Sequence, residues 1–269
     1  MIAMKLTAIK TLSRYRSYLF PVSILVLLLW GAAVVSRVDP AVLAAGIPRG
    51  IDLLGHMLPP DWAAFPQLMA PALKTLQIAF VGTVFGILAA FVVSLFAAAN
   101  INPNRAVRET MRGLLSAQRA LPDLIILLFF VAIVGLGPFP GVMALAVSSV
   151  GMLGKLFADA IEEVDPRPME ALVAVGATKG QIIRYAVLPQ VMPSLIANSL
   201  YRFDTNIRMS IFLGAVGAGG IGFDLVVSIR LLDYQTAFSA IIVVLILVLA
   251  CEKLSDVLRT RLFGQEVLR

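Results

Sequence analysis

One cysteine and one histidine leave the chain short of material for two kinds of chemistry. Cys251 lies inside the apolar run IIVVLILVLACEKL, so neither a disulfide framework nor a thiolate metal site can be built. His56, in DLLGHMLPPDW, has no second ligand at useful spacing and reads as a surface or interfacial histidine. Charge is scarce too: 14% of residues are charged, against about 25% in an ordinary soluble domain. No stretch outside the apolar runs is long enough to bury a core of its own, which excludes a soluble domain. No glycine-rich phosphate loop, no paired catalytic carboxylates and no Ser/His/Asp constellation is present. The chain therefore lacks evident machinery for hydrolysis, and it is not expected to be an enzyme.

What it has is apolar length. Of 269 residues, 59% are hydrophobic, and the mean hydropathy is +0.92. Six segments approach the roughly 20 residues needed to cross a hydrocarbon core: about 18–36, 71–99, 120–137, 140–161, 188–214 and 237–258. The fold class expected is an all-α integral membrane protein, a single permease-like domain over 1–269. The net charge of +6 is a topology signal. Sixteen of the 22 lysines and arginines fall before span one, in or near the connections between spans two and three and between spans four and five, and at or after the end of span six, with Lys155 and Lys253 counted from the inner ends of spans four and six. That side is cytoplasmic by the positive-inside rule, with both termini and residues 100–119 on it, and 37–70 and 215–236 outside. Lys5 to Arg16 followed by an apolar stretch also resembles a secretory signal. The stretch is about 18 residues, beyond the usual h-region of roughly 7–15, so it is read as a span. The prolines and glycines of the outer segment 37–70 predict only one or two small interfacial helices.

The connection at 162–187 is far longer than two antiparallel spans require. Asp165 can cap a helix opened by Pro166, and Gly176 can end it in a left-handed conformation. Thr178 and Gln181 have the spacing of a capping box for a second helix. The segment reads as a docking surface on the cytoplasmic face.

Glu170-Ala171-Leu172, then Gly176, Ala186 and Leu188-Pro189, resembles the EAA loop of ABC-importer permeases. It departs at Leu172, usually alanine, and at Ala186, usually a larger aliphatic. The whole stretch GMLGKLFADAIEEVDPRPMEALVAVGATKGQIIRYAVLPQVMP is similar to the phosphonate-transport permease subfamily. So are RALPDLI, NIRMSIFLGAVGAGGIG, TLQIAFVGTVFG and GIPRGIDLLGHMLPPDW. The resemblance implies a six-span permease of the type I ABC-importer kind in a bacterial inner membrane. It implies a homodimer with two cytoplasmic ATPase subunits, which hold the ATP and magnesium, and a soluble binding protein outside. It also implies coupling to the ATPase through Glu170, Ala171 and Gly176. The cargo would be phosphonate, phosphite or hypophosphite. A secondary transporter of a small anion is the alternative; it would need inverted repeats, and no duplication between halves is evident.

Gly82 and Gly86 form a GxxxG spacing, and Ala144, Ser148, Gly151 and Gly154 form a second small-residue stripe. VGAGGIG at 216–222 reads as a flexible turn beside the outer mouth. In span five, YRFDTNIR places ionisable groups deep in the membrane, where they are costly and face protein or a wet cavity. Asp204 and Arg208 are four apart and can pair. Arg202 and Arg208 lie about 240° apart around a helix, so they do not share a face. The candidate path residues are Arg208, Asn206, Arg202, Ser148 and Ser149, with Arg208 the arginine expected to face the path.

Overall fold

A computed structural model describes residues 2–37 and 39–263, with side chains at Tyr18 and over 20–37 and 39–261. The side chains of Lys5, Lys10, Arg14 and Arg16, and all of Arg269, lie outside the described residues. Every element described is helical. The chain divides into two compact units, Met1–Gly55 and His56–Arg269, described in turn.

The first unit holds α1 (Ile2–Val35) and most of α2 (Pro40–Met57), which meet at 59°. The Asp39 carboxylate caps α2 by accepting from Ala41 N at 2.8 Å. The expectation that prolines and glycines prevent a long helix here is wrong. α2 runs 18 residues through Pro48 and three glycines. A proline removes one backbone hydrogen bond, but where water is scarce every other bond is better kept than broken.

The second unit is built around α3 (Phe65–Ala97) and α6 (Pro138–Glu162), which are joined by a close seam. A Cβ at Gly82 would stand 2.8 Å from Leu145 Cβ, and one at Gly86 would stand 3.1 Å from the Ala146 carbonyl oxygen. The Gly82/Gly86 stripe packs against Val142, Leu145, Ala146 and Ser149 of α6, whereas Gly151 and Gly154 of the second stripe face Gln118 and Leu115 of α4 (Arg105–Arg119). α4 is pinned to the end of α6 by Arg112, whose guanidinium lies 2.8 Å from Glu162 and whose Nε donates to the Ala97 carbonyl at 3.0 Å.

The third apolar segment departs from expectation. In place of one helix over 120–137, α4 turns through 91° into α5 (Asp123–Val134). Leu121-Pro122 forces the break before α5, and Gly135 and Gly137, both at positive φ, end it. Next come α7 (Pro166–Ala174), α8 (Lys179–Ile182), a π-helical turn (Ile183–Val187) and α9 (Leu188–Leu213). A second π turn (Gly214–Ala218) leads into α10 (Ile221–Arg230), followed by α11 (Tyr234–Phe263). The 216–222 turn is hydrogen-bonded to two other parts of the fold. Gly137 N donates to the Gly217 carbonyl at 3.0 Å, and Ile221 N donates to Thr75 Oγ1 at 2.9 Å. Among the described residues, three helices are long and apolar enough to cross a membrane, or up to six if each bent pair makes one crossing.

Candidate functional site

The interior of the second unit gathers polar side chains from four helices into one cluster. On α9, Asn198, Arg202, Asn206 and Ser210 recur every four residues and so share a face. The last three are buried: Arg202 is 5% exposed, and Asn206 and Ser210 are fully enclosed. Arg202 Nε donates to Ser149 Oγ at 2.9 Å, one terminal nitrogen donates to Ser148 Oγ at 2.6 Å, and the other lies 3.6 Å from Met152 Sδ. Asn206 Nδ2 donates to Ser149 Oγ at 2.9 Å and to Thr83 Oγ1 of α3 at 2.8 Å. Ser148 donates in turn to the carboxylate of Asp123, in the first turn of α5.

Four of the five sequence-derived path residues thus meet: Arg202, Asn206, Ser148 and Ser149. Arg208 does not. It is exposed on another face of α9, apart from this cluster. Nor does Asp204 pair with Arg208; its Oδ1 accepts from Ser255 Oγ of α11 at 2.6 Å. Sequence reasoning missed Asp123, Thr83 and Met152. The four-residue polar repeat along α9 marked a candidate face without selecting it over the one that carries Asp204 and Arg208, and Asp123 is brought in by the α4–α5 bend and left no local sign.

The long connection between α6 and α9 holds the second group of candidate residues. Asp165 caps α7, accepting from Arg167 N at 3.0 Å and lying 2.6 Å from the Arg167 guanidinium. That guanidinium, by hydrogen bond first, holds the Asp165 carboxyl below the usual carboxylate range. α7 ends in a Schellman arrangement: Ala177 N donates to Leu172 O and Gly176 N to Val173 O, with Gly176 at φ +78°. Gln181 Oε1 accepts from Thr178 N at 2.7 Å, the reciprocal arm of a capping box. Gln190, in the first turn of α9, accepts from Asp165 N at 3.0 Å and donates to the Ala186 carbonyl at 2.8 Å. Glu170, Ala171 and Gly176 are all exposed, and Glu170 borders a groove of about 560 Å³ shared with Asn100, Glu162 and Met169.

Apolar helices exposing leucine and phenylalanine outward, polar groups gathered inward and an outlying capped helix define a membrane permease. Residues 82–263 match the family described as the binding-protein-dependent transport system inner membrane component, and the chain belongs to that family. It is the membrane permease component of an ABC importer and not the ATPase, which sets aside the secondary-transporter reading. A phosphite transport system permease protein of Stutzerimonas stutzeri is 42% identical over 225 residues, 84% of this chain and 82% of that one. A phosphate-import permease protein of Mycolicibacterium smegmatis is 41% identical over 232 residues, 86% of this chain and 44% of that one. A chain of the MetNI methionine ABC transporter, solved in inward-facing conformations, shares the fold with a TM-score of 0.65. That match covers 75% of this chain and 98% of the other at 24% identity.

Proposed function

We propose that this permease carries a small phosphorus oxyanion (phosphonate, phosphite or hypophosphite) into a bacterial cell. The observation that carries the reading is the 42% identity to a phosphite permease over most of both chains. The buried guanidinium cluster on α9 is consistent with an anionic cargo. Residues 1–269 act as one permease domain of six spans with both termini cytoplasmic, each bent helix pair making one crossing. Two copies pair as a homodimer. Two ATPase subunits bind ATP and magnesium and engage α7 through Glu170 and Ala171, with Gly176 as the joint, while a soluble binding protein delivers cargo outside. The chain itself holds no cofactor. The test is reconstitution with ATPase and binding protein in liposomes. Uptake of radiolabelled phosphite should require ATP and stop when the ATPase is inactivated; uptake indifferent to ATP sinks the proposal.

A further inference from the structure

Among the described residues Arg202 is the only charged side chain buried this deeply. A buried guanidinium needs both hydrogen-bond acceptors and a counter-charge. The two serines that accept from it are not equivalent. Ser149 Oγ donates to the Leu145 carbonyl at 2.6 Å and accepts from both Arg202 and Asn206, so its capacity is spent. Ser148 accepts from Arg202 and sends its own proton to Asp123. The counter-charge therefore reaches the cation through a hydroxyl, in the order guanidinium, hydroxyl, carboxylate, rather than through a bidentate fork.

Asp123 also differs from its partners in setting. It is only half-buried, and it stands at the head of a 12-residue helix set at 91° to the helix before it. Ser148 is the eleventh residue of α6, about 15 Å along that helix and so near mid-membrane. Carboxylate and phosphorus oxyanion are the same kind of ligand for this cluster: anionic oxygens accepting from O–H and N–H.

We propose that Asp123 is the resident counter-anion of an oxyanion subsite, and that a passing phosphorus oxyanion displaces its carboxylate from Ser148 and takes its place as the counter-charge of Arg202. Ser149, Asn206 and Thr83 are the scaffold that holds the guanidinium in place; Ser148 Oγ–H and the Arg202 nitrogen facing it are the donors that change partner. The competing carboxylate keeps the subsite weak, as release on the inner side requires. This rests on the phosphorus-oxyanion reading given above.

The test uses the permease–ATPase complex in nanodiscs without binding protein, measuring retention of radiolabelled phosphite by equilibrium dialysis. A second arm measures uptake into liposomes with saturating loaded binding protein. Asp123→Asn should retain phosphite at least about tenfold more tightly than the unaltered complex and slow uptake by a similar factor, because ground-state binding deepens without a matching gain at the barrier. Asp123→Glu should restore both values, and Asp123→Asn combined with Arg202→Gln should retain none. Retention by Asp123→Asn no greater than that of the unaltered complex overturns the proposal. So does an Asp123→Asn complex that assembles only when Arg202→Gln accompanies it, since the carboxylate is then a structural neutraliser alone. Failure of the underlying reading is distinct: unaltered liposomes would take up neither phosphite, phosphate nor methylphosphonate.

Discussion

At position 176 a Cβ would meet nothing within 4 Å, yet φ is +78°. A β-branched residue there costs conformational energy, about 1–2 kcal/mol, without crowding anything. Gly176→Val should insert and assemble but lose cargo-stimulated ATP hydrolysis, whereas Gly176→Asn, which tolerates that backbone, should keep most of it; equal stimulation in both variants would remove the joint. Gln190 is the opposite case, a side chain whose value lies in what it touches. It is hydrogen-bonded to Asp165 at the head of α7 and to Ala186 just before α9. Gln190→Ala should cut stimulated hydrolysis several-fold, each lost hydrogen bond being worth about 1 kcal/mol. The Asp165 cap gives a pH dependence of definite sign. Its carboxyl lies below the ordinary range because Arg167 favours the charged form. The cap therefore contributes fully above that range and is lost as pH falls through the depressed value. Hydrogen exchange in α7, corrected for intrinsic rates, should stay flat down to about pH 4 and rise below it, a rise that Asp165→Asn should abolish.

Between elements, the α3–α6 seam is the least forgiving contact. Gly86→Ile would drive a side chain into Ala146 and Ser149, and overpacking of this kind costs about 1–3 kcal/mol. The variant should aggregate at a lower temperature in detergent than Gly113→Ile, where a Cβ meets open space. This seam was readable from sequence because close approach demands missing side chains at spacing four, a local property. The caps of α7 and α8 were readable for the same reason: Asp165, Gly176, Thr178 and Gln181 each act within three residues or so of themselves. Which face of α9 is buried was not. Asp204 and Arg208 share the same spacing as Arg202 and Asn206, and only Ser148 and Ser149, more than fifty residues away, decide between them. The α4–α5 bend was hidden likewise, since an apolar run such as 123–134 specifies burial but not direction, and α2 shows that proline and glycine do not by themselves end a helix.

For the whole molecule, the proposed six-crossing topology makes a labelling prediction. In a background lacking Cys251, a cysteine at 179 should react with impermeant reagent only in inverted vesicles, and one at 53 only in intact cells; the reverse pattern would invert the chain. The length of α5 carries a consequence of an electrical kind. Twelve residues reach about 18 Å, against about 30 Å of hydrocarbon, and the helix before them is amphipathic and rich in arginine. With α4 on the inner face, as the proposed topology has it, the insulating layer along this crossing is thin and the membrane voltage would fall mostly over its outer half. Moving an anion inward against a negative interior costs about 2.3 kcal/mol per charge per 100 mV, and on the proposed path most of that cost falls before the anion reaches Arg202. Depolarising the liposomes should accordingly speed delivery to that depth while leaving the release beyond it almost untouched.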